Sequence, residues 1–181
     1  MNKIRWNADP VHSQIQFSVK HMVISTIRGE FEEFESWAET DGEDMEGADV
    51  FFSAQTASVN TGNEARDNDL RSDDGLFKSE EYPKLTFEST SFERQNDEDY
   101  KLKGDLTIRD VTKPIELDVE FGGIITDPYG ARRAGFSVSG SLNRKDYGMN
   151  YNQLLEAGGA VVGEEINIDI HIEYTHQEEE N

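Results

Sequence analysis

Near its C-terminal end the chain reads EEINIDIHIEY, in which Ile166, Ile168, Ile170, Ile172 and Tyr174 alternate without a slip with Glu165, Asn167, Asp169, His171 and Glu173. Successive side chains of a β-strand point to opposite faces, so one face of this strand is apolar and the other must meet water. The same period of two recurs in HSQIQFSVKHM, TIRGEFEEF, ADVFFSAQTASV, PKLTFEST, KLKGDLTI, PIELDVEF and GFSVSGSLNR. Turn-rich pieces such as TDGEDMEG, RQNDEDY and TDPYG separate several of these runs. About eight strands joined mostly by short turns predict an antiparallel meander that is open to closure as a barrel. Glycines 29, 104 and 140 fall inside strand patterns, where they mark bends or leave room beside the backbone.

Two segments break the rhythm. NEARDNDLRSDDGLF offers Asn63 as an N-cap, Glu64 in the first turn and Gly75 as a stop, which predicts one short helix. MNYNQLLEAGG, carrying Leu154 and Leu155, predicts one or two further helical turns ending at Gly158. With 181 residues the chain has the length of one ordinary domain, expected over residues 1–176, with the acidic end 177–181 frayed.

Composition removes whole classes of function. The chain has no cysteine, so disulfides, thiolate metal sites and a cysteine nucleophile are unavailable. Its net charge of -21, from 38 acidic against 17 basic residues, would repel phosphate backbones and anionic lipid surfaces, so nucleic acid is not an expected partner. No run approaches the roughly 18 apolar residues of a membrane-spanning helix. The opening MNKIRWNADP has no apolar export core, so the expected location is the cytoplasm.

Catalytic motifs fail on inspection. GFSVSG has Ser139 where a nucleophile elbow needs glycine, and it alternates as a strand. DNDLRSDDG lacks the ligand phase of a calcium loop. The two histidines that bracket HSQIQFSVKHM fall on opposite faces if the strand is continuous, which leaves no local metal-ligand set, and no metal or cofactor is expected. His21 shares its face with Phe17 and Val19 and would be a polar group at the end of an apolar wall. In RDNDLRSDD, Arg66, Asp67, Arg71 and Asp73 are read first as ion pairs that fix the helix to the sheet, and second as a clamp for a charged substrate.

The ordered set of Asp-Pro-x-His-Ser from Asp9, Arg-Asp-x-x-Leu-Arg-Ser from Arg66, Gly-Asp-Leu-Thr-Ile from Gly104 and Asn-Arg-x-Asp-x-Gly from Asn143 resembles the YceI family of lipocalin-like, polyisoprenoid-binding proteins. The likeness runs over nearly the whole chain. It departs at Asp110, where the family usually has glycine, and at Asn68 and Asp69, where basic residues or histidine are more usual. Many relatives also carry an export signal.

The resemblance implies an all-β fold, an eight-stranded antiparallel lipocalin-like β-barrel with one or two short helices around an apolar tunnel. Its implied partner is a polyisoprenoid, isoprenoid quinone or fatty-acid-like lipid, bound, stored or carried without catalysis. The candidate wall comprises Phe17, Val19, Phe31, Phe52 and Phe87 from the first half of the chain. Phe121, Phe136 and Val138 come from the second half, with Leu154 from the second helical stretch and His21 as the polar end. Two alternatives stand beside this reading: a lipid-modifying enzyme with His21 as acid and base, and a stress-related module with a promiscuous cavity. A homodimer is left open.

Overall fold

The fold is built from long alternating strands, three of which are broken once each. The structure, a computed structural model, describes residues 2–21, 24–149 and 162–176, with the backbone alone described at His21 and Val162. β1 (Lys3–Ala8) and β2 (Gln14–His21) are parted by a 3-10 turn over Pro10–His12, in which Asp9 accepts from the backbone N–H of Val11 and proline takes the first helical position. β3 (Ser25–Phe31) and β4 (Phe34–Asp41) are parted by two glutamates, and β5 (Asp44–Gln55) and β6 (Val59–Asn60) by a 3-10 turn over Thr56–Ser58. β7 (Lys84–Arg94), β8 (Asp99–Ile108), β9 (Val111–Thr126), β10 (Arg132–Asn143) and β11 (Val162–His176) follow.

All pairings are antiparallel. β1 pairs with β4 and β2 with β3; β4 pairs with β5 and β3 with β6; then β5, β7, β8, β9, β10 and β11 run in order. β11 returns to both β2 and β1, which closes an eight-stranded barrel from the eleven segments. Among the described strands, closure gives every one at least two neighbours except the two-residue β6, which pairs with β3 alone.

Alternation decides which side chains enter. Along β11, Ile172 and Tyr174 are buried and Ile166, Ile168 and Ile170 half-buried, while Glu165, Asn167, Asp169 and His171 are exposed. The lower part of the barrel is packed solid with rings. Trp6 is 1% exposed, donates from Nε1 to Thr40 Oγ1 at 2.9 Å and meets His176 edge-on at 4.4 Å. Phe92 stacks on Tyr100 at 4.6 Å.

One helix, α1 (Glu64–Arg71), crosses the other end between β6 and β7. Asn63 caps it by accepting from the N–H of Arg66 at 3.0 Å, as its sequence predicts. The helix stops at Arg71, before Gly75. Ser72 turns extended and donates from both its N–H and its hydroxyl to Asp69 O, while Phe77 N and Ser79 N donate to the last carbonyls, Leu70 O and Arg71 O. Gly75 instead packs against the helix end, where a Cβ would stand 1.9 Å from Asp69 O. The second expected helix lies, beyond Met149, outside the described residues; before it a 3-10 turn spans Arg144–Tyr147.

One further expectation needs correction, and one departure from the family pattern is explained. His12 sits in the Pro10–His12 turn, so strand parity does not govern it. At Asp110 no glycine is needed, because the positive φ of the β8–β9 hairpin falls on Arg109, at 58°.

Candidate functional site

Eight strands around a ring leave an interior wide enough for one ligand, and here that interior is a cavity of about 450 Å³. Inward-facing members of the alternating strands build its wall. β2 supplies Ile15, Phe17 and Val19, and β11 supplies Ile166, Ile168, Ile170 and Ile172. Phe31, Phe52, Phe87 and Val138 join them from β3, β5, β7 and β10. Leu70, Leu76 and Phe77, at and after α1, cover the upper end.

Close backbone approach lets the large rings fit. Phe17 lies across Gly29 and Phe87 across Gly104, where an added Cβ would stand 2.5 and 2.4 Å from the respective Cζ atoms. These are the two interior glycines that leave room for a ring.

Six of the ten wall residues expected from sequence therefore meet at one cavity. Phe121 and Phe136 are placed below it: they stack on each other at 5.0 Å, and Phe136 meets Tyr174 edge-on at 5.8 Å. Together with Trp6, Phe92 and Tyr100 they form the aromatic floor. Leu154 and the side chain of His21 lie outside the described residues; the His21 backbone stands opposite Ser25 and Val162.

Polar groups are few. Thr61, Arg66 and Asp69 line the upper rim. Arg66 donates to Thr61 Oγ1 at 2.7 Å and Thr61 O at 2.8 Å, and the buried Asp67 carboxylate accepts from Thr61 N at 2.9 Å and Oγ1 at 2.6 Å. Arg71 donates to the carbonyls of Ala57, at 2.7 Å, and Val59, at 2.9 Å. The arginines thus fasten α1 through backbone and hydroxyl oxygens of the adjoining segment, not through the aspartate pairs expected from sequence. Higher in the wall, Arg144 is 2% exposed and donates to Gly163 O at 2.9 Å and Met149 O at 2.5 Å. Burial holds its guanidinium below the usual arginine pKa.

At the inner end Ser36 and Tyr174 face each other, Oγ to Oη, at 2.8 Å. Burial pushes the Tyr174 phenol up to about 12. The sequence offered no signal for Ser36, because β4 inverts the usual choice of face. Ser36 points inward, and the large Trp37 points outward, stacked on Phe51 at 5.7 Å beneath the Arg5 guanidinium at 4.1 Å.

Asp9, His12 and Glu173 bring potential ligand atoms within 4.8 Å of one another. Arg133 occupies the cation's place: it donates to Asp9 Oδ2 at 2.9 Å, Glu173 Oε1 at 2.7 Å and Asp127 Oδ2 at 2.7 Å. Arg133 and, secondarily, His12 hold Asp9 at about 2, below its ordinary 3.8. The Asp-Pro-x-His-Ser motif is thereby a stitch, with Asp9 N donating to Glu173 O and Ser13 Oγ accepting from Glu173 N.

A closed antiparallel barrel around a largely apolar cavity defines a lipocalin-like ligand-cavity protein. The chain belongs to the YceI-like domain family, whose model matches residues 6–174. A UPF0312 protein of Staphylococcus aureus (strain N315) is 37% identical over 171 residues, which cover 94% of this chain and 96% of that relative. The crystal structure of a Campylobacter jejuni YceI protein is 32% identical, covers 86% of this chain and 88% of its own, and superposes with a TM-score of 0.73. Burkholderia cenocepacia BcnA shares the fold at 17% identity, with 92% and 98% coverage and a TM-score of 0.79.

Proposed function

We propose that this protein binds and carries, without catalysis, a long-chain isoprenoid or a lipid of similar shape in its barrel cavity. The carrying observation is the wall itself: aliphatic and aromatic side chains from nearly every strand converge on one interior space of about 450 Å³. Binding there draws on apolar area removed from water, worth about 25 cal/mol per Å², with few directional bonds. Support for the isoprenoid class comes from a structure described as a polyisoprenoid binding domain from Saccharophagus degradans, which shares the fold at 16% identity and a TM-score of 0.67. The test is extraction of the purified protein with organic solvent, followed by mass spectrometry. A prenyl compound near one per chain supports the reading; a stoichiometric lipid of another skeleton would remove the isoprenoid class.

A further inference from the structure

The floor of the cavity carries a polar pair whose hydrogens are already committed. Ser36 Oγ lies 2.7 Å from the carbonyl oxygen of Phe51 and 2.8 Å from Tyr174 Oη. A carbonyl only accepts, so the one hydroxyl hydrogen of Ser36 goes to Phe51 O. Tyr174 must then donate its own hydrogen to Ser36 Oγ. Among the described residues no group donates to Tyr174 Oη, and burial keeps the phenol protonated across the physiological range. Serine has a short side chain, so its place in the cavity wall brings this linkage to the cavity surface. What the floor offers an incoming molecule is therefore oxygen lone pairs and no hydrogen.

We propose that the Ser36–Tyr174 pair is a head-group subsite that selects a ligand entering polar end first and bearing a hydrogen-bond donor, a terminal hydroxyl. A hydroxyl donates to the Tyr174 oxygen and completes the chain Tyr174 to Ser36 to Phe51. An aldehyde or a carboxylate would set lone pairs against lone pairs, and a hydrocarbon would leave the phenol oxygen dry and unmatched. The surroundings reinforce the selection, because Phe136 packs edge-on against Tyr174 at 5.8 Å and the rings beneath leave the floor to these two hydroxyls. This inference rests on the lipid-binding reading and sharpens it.

Three probes of one skeleton test it by displacement of a fluorescent lipid: geranylgeraniol, the corresponding aldehyde and the corresponding hydrocarbon. In the wild type the alcohol should bind about fivefold tighter than either of the others, the usual net worth of one hydrogen bond. Tyr174→Phe removes the acceptor that separates the two and should bring alcohol and hydrocarbon to about equal affinity, with the alcohol losing most. Ser36→Ala releases the phenol hydrogen and should reverse the order, favouring the aldehyde, an effect that loose packing alone would not produce. Equal affinity for alcohol and aldehyde in the wild type, or equal losses for all three probes in Tyr174→Phe, would overturn the subsite while leaving lipid binding intact. Failure of all three to bind the wild type would overturn the lipid-binding reading and the subsite with it.

Discussion

Phe17 fills the space that Gly29 leaves open on the neighbouring strand. The two stand opposite each other in the β2–β3 register, and a Cβ at Gly29 would come within 2.5 Å of Phe17 Cζ and 3.0 Å of Cε2. Gly29→Ala must therefore push the ring into the cavity. The expected cost is about 1–3 kcal/mol of stability, as for other overpacked sites, read from urea unfolding. Weaker uptake of a long-chain probe should accompany it, and unchanged values for both would show that the ring moves freely.

Ile168 faces the cavity and Asn167 faces water. Ile168→Asp adds a charge to the apolar wall, whereas Asn167→Asp adds the same charge to the outside. The first should abolish probe uptake and lower the melting temperature, because an unpaired carboxylate is expensive to desolvate. The second should leave uptake unchanged. Comparable behaviour of the two variants would mean that the inside and outside of β11 are misassigned.

Asp9 makes acid stability measurable at one site. Its pKa in the folded protein, about 2, lies below its ordinary value of 3.8, so the native state favours the ionised form. The resulting stabilisation is fully present above the ordinary value and is lost as pH falls through about 2. Asp9→Asn should melt a few degrees lower than the wild type at neutral pH, and the gap should close over that acid window. Thermal scans across it check the sign; a gap that widens toward acid would contradict the Asp9–Arg133 linkage.

Strand order and the cavity face were legible wherever large apolar side chains kept strict alternation, as along Ile166 to Ile172. Legibility failed where the alternation is inverted or interrupted. In β4 the inward Ser36 and outward Trp37 reverse the size rule, since Arg5 and Phe51 cover the indole on the outside. At His12 the Pro10–His12 turn interrupts the strand, so a parity count started there misleads. Phe121 and Phe136 face inward as expected, but height along the barrel axis decides between cavity wall and floor. Height is set by register between strands, which no single strand's pattern contains.

Ligand length should count up to a limit. Each added methylene buried in the wall contributes about 0.8 kcal/mol, roughly fourfold in affinity. Growth should stop when the chain spans the distance from the rim at Arg66 to the rings beneath Tyr174. A homologous series of alcohols in the displacement assay checks this. Affinity that rises without a plateau would indicate binding on the outer surface or to aggregates.

The central claim is that one apolar molecule occupies the inside of the barrel, and calorimetric titration of a prenyl alcohol into delipidated protein at several temperatures tests it most directly. The expected result is a saturating isotherm at one ligand per chain with a negative heat-capacity change, the mark of apolar surface leaving water, and loss of both in Ile168→Asp. Absence of saturable binding to the wild type, or an isotherm that Ile168→Asp leaves unaltered, would contradict it.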